Sequence, residues 1–80
     1  MYKLADERAE ALLFNLGNSE AFGGKTLMEL SLRKGILIAA VIRGKSVFIP
    51  DGSFELKDFD EVVVISSGQR ILELEDILAS

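Results

Sequence analysis

The sequence predicts an α+β fold with the order β-α-β-β-β-α: a four-stranded, mostly antiparallel or mixed sheet and two short helices. Three observations carry that expectation. Residues 36–42 (ILIAAVI) form an unbroken apolar run, rich in β-branched residues and too short for a good helix, which reads as a strand buried on both faces. Val62-Val63-Val64-Ile65 repeats this signature near the C-terminus. Two cap spacings, Thr26 with Glu29 and Ser66 with Gln69, stand before segments whose apolar residues recur at helical intervals.

Taken in order, residues 1–7 are polar and read as a frayed lead-in or linker, residues 8–78 as the domain, and residues 79–80 as a tail. Residues 8–16 (RAEALLFNL) form the first strand, with Leu12, Phe14 and Leu16 facing the core and Ala11, Leu13 and Asn15 facing away. Residues 17–24 (GNSEAFGG) are loop by composition. Thr26 caps a short helix that places Leu27 and Leu30 on one face. The strand at residues 36–42 turns through Arg43-Gly44-Lys45-Ser46, where Gly44 supplies the φ > 0 required at the first central position of a type II′ turn. Val47-Phe48-Ile49 returns as its partner, and Pro50-Asp51-Gly52 ends the pairing. Residues 53–60 form a charged connection tacked down by Phe54 and Leu56. The last strand leads to a helix over residues 70–78, with Ile71, Leu74 and Leu78 on its buried face.

Eighty residues, 49% of them hydrophobic, with a net charge of −4, describe a single globular domain. The absence of cysteine excludes disulfides and thiolate metal sites, and the absence of histidine removes the commonest general base and metal ligand. Nine Lys and Arg, scattered among 13 Asp and Glu, argue against nucleic acid. With no apolar run of membrane-spanning length and no signal peptide, a cytoplasmic location without membrane insertion is expected.

Two strands that are apolar on both faces pose a physical problem. Two short helices cover one face of a small sheet, and leaving Leu13, Leu37, Val41 and Val63 in water forfeits roughly 1.5–3 kcal/mol for each side chain. A second subunit is the economical cover, so a homodimer is expected, with Leu13, Leu37 and Val41 as interface candidates; the alternative is that the two helices straddle both faces.

Through Gly24-Lys25-Thr26-Leu27 and the segments after it, the sequence resembles, over about residues 8–78, the TrkA C-terminal domain, also called the RCK C-terminal domain, of bacterial potassium-transport regulators. The resemblance rests on Leu32-Arg33 before the strand, Ile38-Ala39-Ala40-Val41-Ile42-Arg43-Gly44 in the hairpin, Ile49-Pro50-Asp51-Gly52 after it, Asp60-Glu61-Val62-Val63-Val64, and Leu74-Glu75-Asp76-Ile77-Leu78. That family usually carries Gly where Phe59 stands. Since Phe resists φ > 0, the turn before the last strand is expected to differ here.

The resemblance implies a regulatory, dimerising domain without chemistry of its own, controlling potassium transport. It also implies an upstream Rossmann domain, a membrane potassium transporter as partner, and hence a place at the inner face of the membrane. No G-x-G-x-x-G occurs in this chain, so nucleotide binding by a Rossmann fingerprint is not carried over, and no cofactor is expected. Some members bind cyclic di-AMP between paired domains. The corresponding segment offers Arg33 and Lys34 toward phosphates and Ile36, Ile38 and Ala39 toward the bases. Two alternatives stand beside this: a ligand-free dimerisation module of the same regulator, and an amino-acid-sensing type of regulatory domain attached to an enzyme.

No catalytic constellation competes with these readings. The serines have no histidine to activate them, and none lies in a G-x-S-x-G elbow. Asp58, Asp60 and Glu61 are the densest acidic group, but they lack an EF-hand pattern and read as turn residues rather than metal ligands.

Overall fold

The computed structural model describes residues 2–4, 9–18, 20–68 and 70–79. Its architecture is a wholly antiparallel sheet with almost no helix. The strands are β1 (Tyr2–Leu4), β2 (Ala9–Asn15), β3 (Ile36–Arg43), β4 (Ser46–Phe48) and β5 (Glu61–Ser67), arranged in the order β1-β2-β5-β3-β4. The four expected strands are therefore joined by a fifth. Tyr2–Leu4, expected as lead-in, pairs with β2 through Tyr2↔Ala11, Lys3↔Glu10 and Leu4↔Ala9. The two apolar runs, β3 and β5, lie side by side at the centre of the sheet, flanked on both sides. Strands rich in Val and Ile are best placed there.

Neither expected helix forms. At Thr26 the capping box closes, with the Thr26 N–H donating to Glu29 Oε1 at 2.8 Å and the Glu29 N–H to Thr26 Oγ1 at 3.2 Å. It caps a single turn only. Residues 24–28 instead pair with residues 52–56: Gly24 N–H to Leu56 O and Met28 N–H to Gly52 O, each at 2.8 Å, with a bridge between Thr26 and Glu55. Backbone donors satisfied across this ribbon need no further helical turn.

At the C-terminus Ser66 is no cap. It lies within β5, opposite both Glu10 and Ile36, and Gln69 lies outside the described residues. The local structure reduces to a 3₁₀ turn at Leu74–Ile77, where Asp76 accepts from the Leu72 and Glu73 N–H groups at 3.0 Å each. The chain then runs extended against the segment before β3. Arg33 N–H donates to Ile77 O at 2.8 Å, and Leu32 bridges Leu78.

The core lies on one side of the sheet. Ile38, Val41, Val62 and Val64 pack there against Leu16, Phe22, Leu30, Leu56, Ile71 and Ile77, with Leu12, Phe14, Phe48 and Phe54 at its margin. The inward set Leu12, Phe14 and Leu16 and the tacking role of Leu56 follow expectation. Val41 does not. A bulge between Ile38 and Ala40 shifts the alternation of β3 by one residue, so Val41 pairs with Val62 and is fully buried in the chain's own core. Ile38, at 4% exposure, is likewise core.

The hairpin turn is as expected: Gly44 has φ 61 and Lys45 is not in the left-handed region, the signature of type II′. A Cβ at Gly44 meets nothing within 4 Å, so substitution there costs only what the backbone dihedral imposes. Gly44→Val is expected to destabilise by about 1–2 kcal/mol, and Lys45→Ala by less than about 0.5 kcal/mol. Equal thermal midpoints for the two variants contradict this turn assignment.

Phe59 corrects a second expectation. Despite its bulk it adopts φ 66, so the turn before β5 keeps the left-handed geometry that a glycine would take freely. The tertiary frame enforces it: Phe59 N–H donates to Gly17 O at 2.8 Å, Leu16 N–H to Asp60 O at 2.8 Å, and Lys57 N–H to an Asp60 carboxylate oxygen at 2.9 Å. A left-handed non-glycine residue costs about 1–2 kcal/mol.

Candidate functional site

Two features stand out above the fold: a charged clamp beneath the end of the hairpin, and an apolar surface on the uncovered side of the sheet. The clamp joins neighbouring strand ends. Register pairs Ile42 with Glu61, which brings Arg43, at the end of β3, beside Asp60, just before β5. Arg43 Nε and Nη2 donate to the two carboxylate oxygens of Asp60 at 2.8 Å each, and Nη2 reaches Glu55 O at 3.2 Å. The guanidinium lies 5.2 Å from the ring centre of Phe48 and 5.3 Å from that of Phe54. The two rings are themselves 5.3 Å apart and tilted by 50°.

Asp60 is 1% exposed. Its carboxyl is held below the usual range by the Arg43 guanidinium and the Lys57 N–H, which outweigh the effect of burial, and Arg43 is raised in return. With both oxygens engaged by Arg43 and one also by Lys57, Asp60 is a structural anion. The acidic trio at Asp58, Asp60 and Glu61 forms no cluster suited to a metal among the described residues. Asp51 is likewise occupied locally, accepting from the Ser53 N–H and hydroxyl at 2.9 and 2.7 Å.

The uncovered sheet face is built from the alternate residues of the same strands. Register sets Leu13 opposite Val63, Ala11 and Leu37 opposite Ile65, Ala40 opposite Val63, and Val47 opposite Ile42. Leu13, Leu37 and Val47 are 57%, 60% and 65% exposed. Leu13 and Leu37 therefore lie where they were expected, while Ala40 and Ile42 take the place assigned to Val41. That substitution was invisible in the sequence because a bulge leaves no periodic trace. The adjacent small residues Ala39-Ala40 were the only hint.

Arg33 and Lys34 immediately precede β3, and both are exposed. Arg33 Nε donates to Leu78 O at 2.9 Å, which ties the guanidinium to the C-terminal segment. Ile36 is half-buried against the core and Ala39 lies at the bulge. Ile38 faces inward, as does Ile36 two residues earlier, so neither lies on the open face where a base contact was expected. On the other side of the molecule, an open cleft of about 230 Å³ is lined by Ala21, Lys25, Glu29, Leu30, Ser31 and Leu78. Its Glu29 is engaged by the Thr26 cap, which lowers its pKa. No helix among the described residues is long and apolar enough to cross a membrane.

Fold and site together define a small one-sided sheet domain, with its loops on one face and an apolar surface on the other. The chain belongs to the TrkA-C domain family, which matches it over residues 12–79. It is 36% identical over 69 residues to the Trk system potassium uptake protein TrkA homolog 1 of Methanosarcina mazei, an overlap of 86% of this chain and 15% of that protein. It is 24% identical over 71 residues to TrkA homolog 2 of the same organism, covering 89% and 16%. The chain thus spans about one-sixth of the length of these relatives.

Proposed function

We propose that this chain is a non-catalytic regulatory domain of a potassium-uptake regulator, and that it works as a homodimer joined through the uncovered sheet face. One observation carries the reading: among the described residues the cover lies on one side of the sheet, leaving Leu13, Leu37 and Val47 mostly in water on the other. Burying each such side chain contributes roughly 1.5–3 kcal/mol, enough together to drive association. The family membership and the names of the two relatives support the link to potassium uptake. On this reading the partners are a Rossmann domain upstream and a Trk-type transporter at the cytoplasmic face of the membrane.

The ligand of the proposal is cyclic di-AMP, one molecule per dimer, with Arg33 and Lys34 toward its phosphates and Leu37 and Ala39 beside its bases. Support comes from two exposed cations immediately before β3, the strand that carries the exposed Leu37. A symmetric ligand also matches an isologous interface.

Sedimentation equilibrium at micromolar concentration is expected to give the two-chain mass. Calorimetric titration with cyclic di-AMP is expected to give one site per dimer and a raised melting temperature. Arg33→Ala is expected to weaken that binding about a hundredfold, since one charge-assisted contact is lost from each subunit at 1.4 kcal/mol per decade. A dimer that gives no heat and no thermal shift leaves the ligand-free dimerisation module. A monomer removes the assembly reading altogether.

A further inference from the structure

Phe59 holds a conformation that its side chain disfavours, yet its ring remains 67% exposed and contributes little to the core. Backbone strain persists where surrounding structure over-determines it, and such outliers gather where a residue is used. The turn bonds that hold this geometry run through the backbone of Phe59 and its neighbours, so a glycine would serve them equally. The ring therefore needs another explanation.

Its position supplies one. Phe59 stands two residues before Glu61, at the end of the open face where Asn15, Glu61 and Ile42 lie in register. The apolar part of that face spans four strands about 4.8 Å apart and some five residues of about 3.3 Å, a flat footprint of roughly 320 Å². A stable interface takes about 800 Å² from each partner, so the face alone is too small and its rim must contribute. The occupant that fits is a second copy of this chain. Among the described residues, strand register puts one charged side chain on this face, Glu61 at its edge, in a chain with 22 charged residues and a net charge of −4. A charge-free patch lets two acidic copies meet without opposing like charges.

We infer that Phe59 is an interface anchor, its ring closing over the rim of the partner's sheet face. This rests on the dimer proposed above. The test compares the wild-type chain with Phe59→Asn, a residue that tolerates the left-handed conformation while lacking the ring, and with Phe59→Leu, which retains apolar bulk. Urea unfolding at dilute concentration verifies that both variants fold. Sedimentation then gives the dimer dissociation constants. Phe59→Asn is expected to raise the constant about tenfold or more while unfolding at the same or higher urea than wild type, with Phe59→Leu in between. A Phe59→Asn constant within threefold of a measurable wild-type one overturns the anchor and leaves the dimer standing. A wild-type chain that stays monomeric overturns both.

Discussion

Arg43→Ala is expected to destabilise the domain by about 3 kcal/mol at neutral pH. Removing one partner of a buried ion pair costs about 3–5 kcal/mol, because the other charge is left without its counterpart. The lower end applies because the Arg43 side chain is 31% exposed, while Asp60 is 1% exposed. Asp60→Asn is expected to cost less, about 2 kcal/mol, since an amide oxygen still accepts from the Lys57 N–H. The pH dependence identifies the cause. The folded-state pKa of Asp60 is lowered below its unfolded value of about 3.9, so the pair's contribution is complete above about pH 5. It is lost as pH falls through the folded value. The gap between wild type and Arg43→Ala is therefore expected to be full at pH 7 and to close in acid. Urea denaturation across this range checks it; a gap below about 1 kcal/mol at pH 7, or one that persists unchanged in acid, contradicts the clamp.

Val41→Lys is expected to prevent folding, whereas Leu37→Lys folds but does not dimerise. Both positions lie in the same apolar run four residues apart, and a regular strand would set them on one face. The bulge at Ile38/Ala40 separates them, leaving Val41 fully buried against Val62 and Leu37 60% exposed. An unpaired ammonium in the core costs more than about 4 kcal/mol, a large share of a small domain's stability. The same charge on the open face costs the monomer less than about 1 kcal/mol, yet it must be desolvated when two copies meet. Circular dichroism reports the first outcome and sedimentation the second. Two variants that behave alike contradict the phase of β3.

The central hairpin, the last strand and the inward set Leu12, Phe14 and Leu16 were legible in the sequence because each is decided locally. An apolar run of strand length, a glycine at a turn and an alternation of period two act over a few residues. Family resemblance was legible for the same reason, through the order and spacing of short segments. What the sequence could not show depends on partners far along the chain. The cap signals at Thr26 and Ser66 are sound local chemistry, but pairing of residues 24–28 with 52–56, and of Ser66 with both β2 and β3, satisfied the backbone before a helix could extend. Phe22 looked like loop and is fully buried. Arg43 and Asp60 are 17 residues apart and meet only because β3 and β5 are neighbours. The bulge that moves Val41 inward, and the left-handed turn imposed on Phe59, likewise follow from register with adjacent strands. In each case a short segment satisfies its own preferences only as far as its neighbours in space leave backbone donors and apolar surface free.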